Sequence, residues 1–304
     1  MNRITGIVLV ALGLVVLTSA GLFVMGQPAS AQRSWAHAQG HGVAEEGKRP
    51  VPQRKEEETD LLSYALAPTP DYAAIKFGVL DIGMGRFHPI STLPTIGIGI
   101  ARDEDSRLYS LDISGDLYQI NPGNGKAAKV GATGIAAGGS VFAATADGTL
   151  YAMDPQNNLY LVNAETGVAS LVGATGIPAY DPTGFFATSF AGDCRHLYYI
   201  LGVYDNYPHW ARLPILWRIN PQTAAAELIG PIAPPLPFFG AGFIDDRLFG
   251  FSFDETSRPG GPGPKTYQVD VTTGVASFVS DLNVASIYGA VPLGEGSAEH
   301  CSAE

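Results

Sequence analysis

Tyr204, Asp205, Asn206, Tyr207, His209 and Trp210 crowd one short stretch, GVYDNYPHWARLPI at Gly202–Ile215. Flat aromatic rings beside an amide, a carboxylate and an imidazole combine apolar area with hydrogen-bonding handles. That is the chemistry of sugar, peptide and protein recognition. The competing expectation is internal, with the same rings packing the stretch against its neighbours. His209 also suits general-base work, and Asp181 and Asp281 are the carboxylates best placed to act with it. Together they would serve a hydrolase or lyase acting on a carbohydrate-type substrate. An aspartate that opens a loop more commonly fastens a turn, so no catalytic residue is assigned.

Other chemistry is scarce. His37, His41, His88, His196, His209 and His300 form no metal-ligand spacing. Asp103-Glu104-Asp105 and Asp245-Asp246 carry enough charge for calcium, but the spacing of an EF-hand is missing. They read as hydrated turns, and no cofactor is expected. VGATGI stands at Val130–Ile135 and again at Val172–Ile177. As a phosphate loop it lacks a following Lys-Ser or Lys-Thr and a helix N-terminus to aim amides at an anion.

The elements that would position these residues emerge from the duplication. LYSLDISGDLYQINPGNGKAAKVGATGI (Leu108–Ile135) lies over LYAMDPQNNLYLVNAETGVASLVGATGI (Leu150–Ile177), an offset of 42 residues. Fainter copies begin at Leu197 and Leu248, and a partial one at Phe77. Each unit alternates short β-branched and aromatic runs with Asp, Asn and Gly turns, and none has a helical period. Four-stranded antiparallel units at this spacing predict a β-propeller. Inner strands fall at TIGIGIAR, GSVFAATA, GFFATSFA, FGAGFIDD and SIYGAVPL. The last has no strands after it, whereas the N-terminal runs Leu62–Ala67, Phe77–Asp81 and Phe87–Leu93 lack a first. Joining them predicts five blades over residues 60–293, closed by the C-terminal strand.

The chain has 304 residues, 37 glycines, 22 prolines and a net charge of −11. The acidic balance argues against nucleic acid and against docking on an anionic membrane surface. Ile4–Met25 is an apolar run followed by Ala29-Ser30-Ala31. Residues 1–31 are therefore a signal peptide or an uncleaved N-terminal anchor, the latter being the only membrane association expected. Either route makes the protein secreted or extracytoplasmic, tethered in the second case. Residues 32–59, including EEGKRPVPQRKEEET, are too charged to bury a core and read as a disordered linker. Residues 294–304 form an acidic tail. Two cysteines in an exported chain invite a Cys194–Cys301 disulfide, the alternative being two free thiols.

The Leu-Tyr-x-x-Asp, Leu-Tyr-x-Ile-Asn-x-x-Thr-Gly and Leu-Val-Gly pattern resembles exported bacterial β-propellers of the broad YVTN and quinoprotein-like repeat type. The resemblance covers most of the chain after the linker and implies fold alone. It leaves a ligand- or protein-binding scaffold as the leading expectation. The partner, a protein, peptide or glycan, would meet the face that carries Tyr204–Trp210.

Overall fold

The computed structural model describes residues 61–135, 140–178, 185–204, 214–234, 238–253 and 263–294. The apolar run, the linker and the tail lie outside the described residues. Among the described residues, twenty strands form five antiparallel sheets of four. Blade 1 contains β1 (Leu62–Pro68), β2 (Ile75–Asp81) and β3 (Arg86–Thr92). Blade 2 follows as β4 (Gly97–Arg102), β5 (Leu108–Asp112), β6 (Asp116–Ile120) and β7 (Ala127–Ala132). Blade 3 is β8 (Val141–Ala144), β9 (Leu150–Met153), β10 (Asn158–Val162) and β11 (Ala169–Ala174). Blade 4 is β12 (Phe185–Gly192), β13 (Leu197–Tyr204), β14 (Ile215–Ile219) and β15 (Ala226–Pro231). Blade 5 is β16 (Phe238–Ile244), β17 (Arg247–Ser252), β18 (Lys265–Val269) and β19 (Ala276–Asp281). The last strand, β20 (Gly289–Pro292), returns to blade 1 and pairs with β1 from Ser63↔Pro292 to Leu66↔Gly289. The inner strands neighbour one another in the order β4, β8, β12, β16, β20 and back to β4. The result is a five-bladed β-propeller closed as the repeat count predicts.

Side-chain alternation explains why the second strands are largely buried along both faces. Leu197, Tyr199 and Leu201 of β13 point to blade 3 and meet Val141, Tyr151 and Met153. Tyr198 and Ile200 point the other way, to Phe238, Ala241 and Leu248 of blade 5. Every blade is covered on both faces by its neighbours, so a period of two selects which neighbour is met rather than core or solvent. One such cluster fills each of the five junctions.

VGATGI is the seam between blades, and four of its residues have distinct tasks. Val130 is the extra residue of a bulge, because Leu117 pairs with Gly131 while Tyr118 pairs with Lys129. Val172 repeats this, and Ile90, Ile229 and Val279 take the same place in the other outer strands. Gly131 then lies against the β10–β11 turn, where an added Cβ would stand 2.1 Å from the Thr166 carbonyl oxygen. The Thr133 hydroxyl donates to the Gly115 carbonyl at 2.7 Å, and Thr175 does the same to Asn157 at 2.7 Å. The Thr133 carbonyl accepts from the Ala169 amide of the next blade at 3.1 Å, as Thr175 does from Ala226 at 3.1 Å. Ile135 and Ile177 finish the motif as buried plugs.

Every outer strand therefore runs into the turn between the third and fourth strands of the following blade. That turn carries a positive φ at Gly85, Gly125, Gly167, Ala224 and Gly274. Each turn is opened by an Asx acceptor. Asn121, Asn163, Asn220 and Asp270 take two backbone amides each, and Asp81 takes one from Met84.

Candidate functional site on the crossover face

Connections between second and third strands, and the crossings from one blade to the next, gather at one end of the ring. In blade 4 this end is extended. β13 meets β14 only from Leu197↔Ile219 to Leu201↔Ile215, yet its pairing with β12 continues through Ala187↔Gly202, Phe186↔Val203 and Phe185↔Tyr204. Three rungs thus rise beyond the third strand as a two-stranded stalk. The aromatic stretch is the sequence that joins the end of this stalk to the start of β14. Tyr204 ends β13, while Asp205, Asn206, Tyr207, His209 and Trp210 lie outside the described residues, as do Asp181 and Cys301.

On the same end, blades 5 and 1 leave a groove of about 510 Å³ between them. Its walls include Pro68, Pro70, Pro89, Pro264, Phe87 and Leu282, with Lys76 and Asn283 as polar members. The volume falls in the range of small-ligand clefts, roughly 300–1,000 Å³. Proline walls are set before any ligand arrives, because the ring fixes φ. Asn283 is bound to the scaffold rather than offered outward. Its Oδ1 accepts from the Phe87 amide at 2.8 Å and its Nδ2 donates to the Phe87 carbonyl at 3.4 Å. Three further rings stand at this end, with Phe253 5.8 Å from Tyr72 and 5.0 Å from Phe239 between centroids.

No carboxylate stands among the described residues that line the groove. Asp281 ends β19, opposite Lys265 of β18, and forms an ion pair with it. Its side chain is 72% exposed. A solvated, ion-paired carboxylate at a strand end steadies a sheet edge and is poorly set for acid–base work, which favours desolvation.

At the other end of the ring the acidic turns are structural. Asp103 is only 6% exposed, a correction to its reading as a hydrated turn. It accepts from the Asp105 and Arg107 amides at 3.1 and 2.8 Å, and from Arg107 Nε at 2.7 Å. Arg107 reaches on to Glu165 at 2.7 Å in the next blade. Those two carboxylates hold its guanidinium well above the ordinary range. Asp245 and Asp246 form a two-residue hairpin turn, both at positive φ. Among the described residues no group of three His, Cys, Asp or Glu is arranged to hold a metal ion.

The groove was missed from sequence because Pro68–Pro89 and Pro264–Ala285 meet only through ring closure. The available signal was the clustering of Pro68, Pro70 and Pro264 at strand ends that all face one way. No protein-family model matches the chain, and no match is found among curated proteins.

Proposed function

We propose that the ring is an exported binding module whose crossover face receives a protein, peptide or glycan. The observation that carries this reading is the preformed proline-walled groove between blades 5 and 1, without a lining carboxylate among its described residues. The stalk of blade 4 supports it, because β13 ends and β14 begins on the same face and the aromatic stretch is the sequence that joins them. Long insertions on a rigid scaffold concentrate recognition. Export rests on Ile4–Met25 and Ala29-Ser30-Ala31, and it accords with the resemblance of the repeat pattern to exported bacterial propellers of the YVTN and quinoprotein-like type.

The test is a screen of the full chain on glycan and peptide arrays, followed by Tyr207→Ala with Trp210→Ala, and separately Lys76→Glu. Binding should fall at least about tenfold in the aromatic double variant, the ~1.4 kcal/mol that one good anchor exceeds. Retained binding in both variants, with the ring still folded, overturns the assignment of this face.

A further inference from the structure

Among the described residues that line the groove, Lys76 is the only charged one. It stands opposite Ala67 in the ladder of β1 and β2, and Ala67 packs in the junction of blades 5 and 1, so Lys76 faces the same junction. Arg107, Arg218, Arg247 and Lys265, half-buried as Lys76 is, each meet a carboxylate of this chain. Lys76 meets none among the described residues, although the sequence holds 29 acidic residues against 18 basic ones. An ammonium set among prolines and Phe87 is partly stripped of water, so a carboxylate arriving there gains more than it would at an exposed lysine.

The backbone at the groove adds a second feature. Val284 and Ala285 are half-buried wall residues. Their amides and carbonyls bond to no other backbone group among the described residues, which leaves them open to the main chain of an extended segment. Both ends of the Asn283 amide are committed to Phe87. A sugar ring would therefore leave most of its hydroxyls unpaired against proline and leucine, whereas aliphatic side chains lose nothing there. We infer that the groove receives an extended peptide segment in which one acidic side chain, paired with Lys76, is flanked by aliphatic residues. The inference rests on the binding role of the crossover face and names its ligand class. A single carboxylate is the fit, because further acidic residues would face a chain whose net charge is −11.

The test presents the full chain to an array of acetylated, amidated heptapeptides, with valine and leucine around a varied central position, and beside it to an array of uronic-acid glycans. Amidation removes the terminal carboxylate, so any acid preference belongs to a side chain. Aspartate or glutamate at the centre should bind best, and asparagine or glutamine should weaken binding at least about tenfold. Lys76→Gln should weaken the acidic peptide by a similar factor and leave its amide counterpart unchanged. Lys76→Glu should shift the preference to a central lysine, an exchange that damage to the ring cannot mimic. If Lys76→Glu does not fold, Lys76→Gln, which removes the charge alone, carries the comparison. Peptide binding that ignores the central charge, or an acid preference that survives Lys76→Gln in a folded ring, overturns the inference. Such binding, if lost in the Tyr207→Ala and Trp210→Ala double variant, leaves the recognition role of the face standing. Binding to the glycans alone has the same two consequences, and binding on neither array overturns both.

Discussion

Two glycines of one seam motif are needed for different reasons, and their substitution should separate those reasons. Gly131 has ordinary φ but no room, since its Cβ would meet the Thr166 carbonyl oxygen at 2.1 Å. Gly134 has φ +78 and nothing within 4 Å of an added Cβ. Gly134→Ala should cost only the left-handed strain, about 1–2 kcal/mol. Gly131→Ala must push two blades apart at a backbone contact, and should reach the upper end of the ~1–3 kcal/mol typical of overpacking. Urea denaturation of both variants checks the order. Asp270 gives a second residue-scale expectation. The Thr272 hydroxyl and the Thr272 and Thr273 amides hold its carboxyl down to about 2. A depressed folded value contributes stability that is complete above the ordinary carboxylate range and is lost as pH falls through about 2. Asp270→Asn should flatten this part of the acid limb without loss of fold at neutral pH, because Asn121, Asn163 and Asn220 fill the same turn position. Trp217 offers a third. Its indole Nε1 is buried without a hydrogen-bond partner, whereas Tyr118, Tyr160 and Tyr267 occupy the equivalent register position. Trp217→Phe removes an unsatisfied donor worth about 1–3 kcal/mol, offsetting lost contact area. Thermal unfolding should therefore show a much smaller loss than the ~3–5 kcal/mol of Trp217→Ala.

At the scale of elements, most of the architecture was readable because local signals agreed. Turn residues bracketed runs of four to eight apolar residues, and the offset between VGATGI copies told which runs were equivalent. The expected inner, second, third and outer strands of every blade are observed with small shifts at their ends. What was not readable came from contacts between distant segments. That Gly131 touches Thr166 depends on the bulge at Val130, which swings the outer strand toward the next blade. Asp281 was expected in a connection, yet it extends β19 because Lys265 faces it across the ladder. The stalk of blade 4 was hidden inside the aromatic stretch Gly202–Ile215, since GVY can serve strand or loop equally well. Its consequence is testable. Leu201↔Ile215 already closes the three-strand ladder, so replacing residues 205–213 with a short Gly-Ser turn should leave the unfolding midpoint nearly unchanged. A large fall would show that these rings pack the ring itself, the expectation that competes with recognition.

For the whole molecule, stability depends on one short strand. The nine residues from Asn283 to Val291 close the ring at several points. Asn283 clamps Phe87, Ile287 and Ala290 enter the core between blades 5 and 1, and β20 covers the edge of β1. Without β20, the β1 edge from Ser63 to Leu66 would be unpaired and two junctions would face solvent. An open, apolar sheet edge is a template for association with other chains. A chain ending at Ala285 should therefore lose its single cooperative transition and form larger assemblies than the full chain, whereas one ending at Leu293 should keep both the transition and the size of the full chain. Adding a peptide of residues 286–293 should restore cooperativity to the shorter form, because it supplies the missing strand without the covalent link. Size-exclusion chromatography and calorimetry on the three samples decide the matter. An unchanged, cooperative transition in the chain ending at Ala285 would mean that four blades and a three-stranded fifth stand alone, and that closure contributes order rather than stability.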